Sequence, residues 1–288
     1  MRVPGELIED GNGNVEFIIK LELEPVTTSN INDVTKEGCL LRYEIPLIIN
    51  NKIPDNAYMI SCDTIRNNND SGKSRIAILV YKTGLYPELG REKIVMSYYG
   101  RKRENPLAYM HRLLVKLSKY YNAKITYEND VDGGIQDYFT KNRMLDRLMS
   151  EPSKLLDKMI VNRSSKRSFG HPMSSKKHKD MGIQYIYEWL DKRDGKSIHF
   201  DSESGEEIKT DGLRNLDLLN DELLIEQLIN YNRDYGNYDA VSALMGIMLQ
   251  LKEIEDSSGY NQTTKTISEE INDFYNKLYG NKHQNIFT

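Results

Sequence analysis

At 288 residues, with 39% hydrophobic and 28% charged residues, the chain has the composition of an ordinary globular protein long enough to bury a core. No apolar run approaches the roughly 18 to 20 residues of a membrane span, MRVPGELIEDGNGN lacks the basic-then-apolar order of a secretory signal, and the cysteines are Cys39 and Cys62. Neither a membrane protein nor a disulfide scaffold is expected, and the setting expected is reducing and cytoplasmic; the net charge of −4 argues against indiscriminate coating of nucleic acid.

In chain order, residues 1–55 hold two strand-like runs, 15–23 and 40–49, around a polar stretch, and read as an extension or linker. Three β-rich runs follow with short turns between them: 57–63 (AYMISCD), 75–81 (RIAILVY) and 93–99 (KIVMSYY), the pattern of an antiparallel meander. After Asn105-Pro106, Leu107, Met110, Leu114, Leu117 and Tyr121 recur at helical steps. That helix feeds 123–127 (AKITY), a short run ending in Glu128, which a crossover permits to pair in parallel with an earlier strand. Residues 181–190, 216–231 and 238–254 are helical in pattern, and 197–210 read as a hairpin with Ser204-Gly205 at the tip. The expected class is α/β: a central mixed sheet, its first three strands antiparallel, flanked by helices over 56–256. A tail from 257 to 288 carries one amphipathic stripe between Ile267 and Leu278.

Charge is unevenly placed. Residues 153–179 contain eight basic residues against Asp157 alone, a candidate phosphate track, and 201–226 contain nine acids against Lys209 and Arg214.

Asp63 ends the first run of the meander, Glu128 ends the run after the crossover, and Asp239 lies in the first turn of a late helix. Singly, each also suits a turn or a helix N-terminus. Together, if the fold gathers them, they make a pocket whose mutual repulsion a divalent cation would relieve. Mg²⁺ takes hard oxygen ligands, and two such ions suit an in-line phosphodiester displacement. The five histidines show no HExxH or Cys/His spacing, which disfavours zinc.

Four segments carry a family resemblance: ISCDTIRNNNDSGKSRIAILVY, YYNAKITYEND, FGHPMSSKKHKDMGIQYIYEWL and LLNDELLIEQLINYNRDYGNYDAVSALMGIML. Taken in this order, over about residues 57–252, they resemble the nuclease half of the large subunit of tailed-phage terminases. The resemblance implies an RNase H-like fold and an endonuclease that cuts concatemeric viral DNA during genome packaging. It implies Mg²⁺ or Mn²⁺, two ions, held by Asp63, Glu128 and Asp239, the same acids being catalytic. Family members often carry a second acid or a His just before the last Asp; here Gly236-Asn237-Tyr238 precede it, and Asp130, Asp132 and Asp234 are the fallback ligands.

Such an enzyme needs phosphate contacts, and Arg101, Lys102 and Arg103 after the third run, with Lys176 and Lys177 before a helix, are the candidates for DNA binding. No ATP site is expected: NNNDSGKS lacks the first Gly of a phosphate loop and leads into a strand-like run. The ATPase motor is expected in a separate region or chain. Other expected partners are double-stranded viral DNA, the portal and the small terminase subunit, at the assembling procapsid in the bacterial host cytoplasm. Two other readings stay open: a junction resolvase or recombinase on the same fold, and a non-catalytic packaging adaptor.

Overall fold

Seven strands make one open, mixed sheet in the order β2-β1-β3-β6-β5-β4-β7. The computed structural model describes residues 2–29, 37–68, 75–102, 104–153, 155, 169–194, 196–200 and 207–257. The sheet strands are β1 (Val3–Glu9), β2 (Val15–Ile19), β3 (Leu40–Arg42), β4 (Tyr58–Asp63), β5 (Ile76–Lys82), β6 (Lys93–Gly100) and β7 (Lys124–Tyr127). A separate two-stranded antiparallel sheet joins β8 (Lys196–Phe200) to β9 (Glu207–Asp211), the two arms of the hairpin expected over 197–210, whose tip at Ser204-Gly205 lies outside the described residues. The helices are α1 (Pro106–Tyr121), α2 (Ile135–Lys141), α3 (Lys176–Asp191), α4 (Glu222–Ile229) and α5 (Asp239–Ser257).

The expected meander exists as β4-β5-β6, antiparallel throughout, and β7 pairs in parallel with β4 after the α1 crossover. Its place in the sheet requires a correction. The first three strands of the chain are β1, β2 and β3, and β3 adds antiparallel to β6, so the sheet grows past the meander on that side. Three strands from within residues 1–55 are therefore part of the main sheet. Gly5 permits the close β1–β2 approach, since a Cβ there would stand 2.3 Å from the Ile18 carbonyl oxygen.

Alternation along the strands divides the core in two. Ile60, Cys62, Ile78 and Val80 point to the side covered by α1, where Met110, Leu114, Leu117 and Tyr121 are buried. Met59, Ala77, Leu79 and Tyr81 point to the other side, covered by α5 with α3 and α4 outside it. Caught between sheet and helices, α5 is buried on nearly every side from Asp239 to Gln250, which is why its sequence is apolar all round. The helix expected over 216–231 is split: Asp221, buried, caps α4 by accepting from Leu224 N at 2.9 Å, and a short turn at Asn215–Leu218 precedes it.

The α5 contact is tightest at Gly246, where a Cβ would meet His171 Cε1 at 2.1 Å and Ser61 Oγ at 2.7 Å. Gly246→Ala is expected to cost about 1–3 kcal/mol by overpacking, read as a lower denaturant midpoint at unchanged slope. A midpoint equal to that of the native chain would mean that α5 shifts freely.

Candidate active site

The β4–β7 register places Ser61 opposite Thr126 and Cys62 opposite Tyr127. One residue on, the Glu128 N–H donates to the Cys62 carbonyl at 3.2 Å, so Asp63 and Glu128 leave adjacent strands at the same end of the sheet. The two-residue period that sends Cys62 and Tyr127 into the α1-side core turns both acids to the α5 side. Asp239 opens α5 at that end. Its Oδ2 accepts from the Arg75 N–H at 2.9 Å and from Asn237 Nδ2 at 3.2 Å. Arg75 directly precedes β5, whose Ala77 pairs with Asp63, so the bond pins Asp239 beside the end of β4.

The three carboxyls interact strongly. Asp63 and Asp239 are 8% and 9% exposed, and Glu128 is half-buried. Burial, then the charges of Asp239 and Glu128, push the Asp63 carboxyl well above its ordinary range, against a hydrogen bond from Ser242. Burial also raises Glu128. A hydrogen bond from Asp63 opposes that rise, Asp130 adds to it, and Lys179 and Arg66 work against it. Asp239 is pushed up to about 7, by burial first, against the Arg75 backbone bond, the Arg75 charge and Asn237. A hydrogen bond between the Asp63 and Glu128 carboxyls requires one of the two to be protonated. The pocket thus holds fewer charges than it has acids, as expected when like charges crowd in a poorly solvated place.

Among the described residues, no three His, Cys, Asp or Glu side chains are already disposed as a set of metal ligands; Asp63 and Glu128 are closed onto each other. The donor chemistry nevertheless fits a hard divalent cation, being all carboxylate oxygen. A bound cation would offset the burial that raises all three carboxyls and the repulsion that adds to it at Asp63 and Asp239.

The fallback acids are engaged elsewhere. Asp130 Oδ2 accepts from the Met173 and Ser174 N–H groups at 2.7 and 2.8 Å, which ties the approach to α3 beside Glu128. Asp132 accepts from the Gly134 N–H, and Asp234 pairs with Lys176 and Arg233. Of the predicted DNA contacts, Arg101 lies at the acidic end of the sheet, because Gly100 pairs with Ile76, and its guanidinium donates to the Asn68 carbonyl at 3.0 Å. Lys102 is committed to Glu37 at 3.3 Å and to the face of Tyr109. Lys176 and Lys177 are exposed in the first turn of α3. Arg103, most of the basic run over 153–179, and the stripe from Ile267 to Leu278 lie outside the described residues.

Several supporting residues went unread in the sequence. Arg66 and Lys179 bear on Glu128, Ser242 on Asp63, and Asn237 and Arg75 on Asp239. Ser242 had a signal, lying three residues after Asp239 on the same helix face. His171 is buried, its pKa lowered to about 3 by desolvation, so it is neutral. Its Nδ1 shares a 2.8 Å hydrogen bond with Thr126 Oγ1. Its N–H donates to the Tyr127 carbonyl and its carbonyl accepts from the Asn129 N–H, bracketing Glu128. Comparison with protein-family models, with curated proteins and with solved structures returns no match for this chain.

Proposed function

We propose that the chain is a divalent-metal-dependent DNA endonuclease of RNase H-like fold, the nuclease part of a phage terminase large subunit. The observation that carries the reading is the meeting of Asp63, Glu128 and Asp239, from two strand ends and a helix start, in one largely buried cluster. Residues 65 and 111 positions apart in sequence have no local reason to converge, and a structural role alone would not favour burying them together.

In this reading Asp63 and Glu128 would lose the proton they share to solvent and, with Asp239, would hold the cations. The Asp239 Oδ2 accepts from the Arg75 N–H and from Asn237 Nδ2, which orients the carboxylate. Asn237, in the Gly236-Asn237-Tyr238 segment where the family often has a second acid or a His, serves as an orienting donor to Asp239. Bound Mg²⁺ or Mn²⁺ supplies positive charge to the attacking and leaving oxygens of a phosphodiester displacement. Arg66 and Lys179, flanking Glu128, supply further positive potential for the DNA backbone.

The test is an assay of the full chain on linear duplex, supercoiled plasmid and four-way junction DNA, with Mg²⁺, Mn²⁺ or a chelator. Cleavage of duplex DNA only with metal, and no faster on the junction, is expected. Preference for the junction would favour a resolvase. Absence of cleavage with every metal, while DNA or portal is still bound, would leave a packaging adaptor.

A further inference from the structure

We infer that a cleft at the end of the sheet opposite the acids is the seat of the chain's own carboxyl-terminal segment, residues 267–279. The cleft holds about 180 Å³. Its walls include Tyr58 and Met59 at the start of β4, Leu85 after β5, and Leu251 and Ile254 from the last two turns of α5. Leu85 and Ile254 are 41% and 38% exposed, so apolar wall faces water. The rim is charged, with Lys192 paired to Glu92 at 2.7 Å. An apolar centre inside a charged rim is the anatomy of a surface that another element covers.

Position and sequence pattern select the occupant. The described part of helix α5 runs to Ser257, beside the cleft that its own Leu251 and Ile254 line, and residues 258–288 follow in the sequence. Within them Ile267, Ile271, Phe274, Tyr275 and Leu278 recur at helical steps, with Glu269, Glu270, Asn272, Asp273 and Lys277 between them. Thr266 and Glu269 have the spacing of a capping box, and Gly280 follows the last stripe residue closely, as a helix stop does. The stripe is apolar on one side only and needs a surface to bury it.

Reach is ample. Residues 258–266 span roughly 30 Å when extended, whereas the last two turns of α5 occupy about 11 Å. A segment tethered by so short a linker faces the cleft at an effective concentration in the millimolar range. Docking too weak to hold a free peptide would therefore be populated within the chain, ahead of any partner at micromolar concentration.

Hydrogen exchange on the full chain, followed by mass spectrometry, tests the assignment. The amides of 267–279 should exchange about tenfold or more slowly than in the isolated peptide. Leu85→Asp, at an exposed cleft position, and Phe274→Asp, on the stripe, should each abolish that protection and leave the β5 amides unchanged. Three results would overturn the proposal: unprotected amides in the native chain, protection that survives Leu85→Asp, or protection that fades on dilution and so comes from a second copy.

Discussion

Asp63→Asn should reduce metal-dependent DNA cleavage by roughly a thousandfold or more and, at pH 8, should melt at a higher temperature than the native chain. The first effect follows from the place of Asp63 between Glu128 and Asp239. The second follows from the sign of its titration. Its folded pKa is raised above the ordinary value of 3.8, so between that value and the raised one the native state binds more protons than the unfolded state. Stability then falls as pH rises through this window. Below about pH 4 both states are protonated and the penalty is absent. Asn carries no charge, and its amide can donate to Glu128. The two proteins should therefore converge in melting temperature near pH 4 and separate toward pH 8, by about 2–4 °C for each kcal/mol of relieved repulsion. Melting curves at pH 4, 6 and 8 decide it. Normal cutting by the variant would remove Asp63 from the chemistry, and an equal loss of stability at every pH would make it a structural residue.

The cluster was legible before the fold because its acids sit at the ends of strongly patterned elements. AYMISCD and AKITY are short apolar runs that break off at an acid, and Asp239 precedes a long apolar helix; strand and helix ends are where a sheet gathers side chains from distant parts of a chain. What supports the cluster was less legible, because it rests on contacts without sequence periodicity. Asn237 is read as a loop residue until its amide is found on Asp239, and His171 as a lone histidine until its backbone is found bracketing Glu128. The sheet's extent was misread for a related reason. β1 contains Pro4 and Gly5, which blur a strand pattern, and the partner of β3 is β6, more than fifty residues away, so the pairing leaves no local trace. α2 escaped notice because seven residues after Gly133-Gly134 are too few to establish a helical period. The 216–231 stretch looked continuous because its leucines keep helical spacing across Asp221, and only the buried cap reveals the break.

Mn²⁺ or Mg²⁺ should raise the melting temperature of the native chain, more at pH 8 than at pH 5, and Asp239→Asn should lose most of that rise. The acids that repel one another in the free protein become ligands only when deprotonated, so metal and protons compete for the same oxygens. Asp239 titrates at about 7. At pH 8 it is largely ionised and a cation gains its full attraction; at pH 5 a proton must first be removed, and apparent affinity should fall about tenfold per pH unit for each proton displaced. At a hundred times the dissociation constant, binding stabilises the native state by about 2.7 kcal/mol. Calorimetric titration in two buffers of different ionisation enthalpy counts the protons released, which should approach one or more at pH 6 and decline above pH 8. A native chain whose melting temperature ignores both cations at pH 8 would show that the cluster stays closed around its own proton, and a metal-dependent mechanism would then have no ligands to work with.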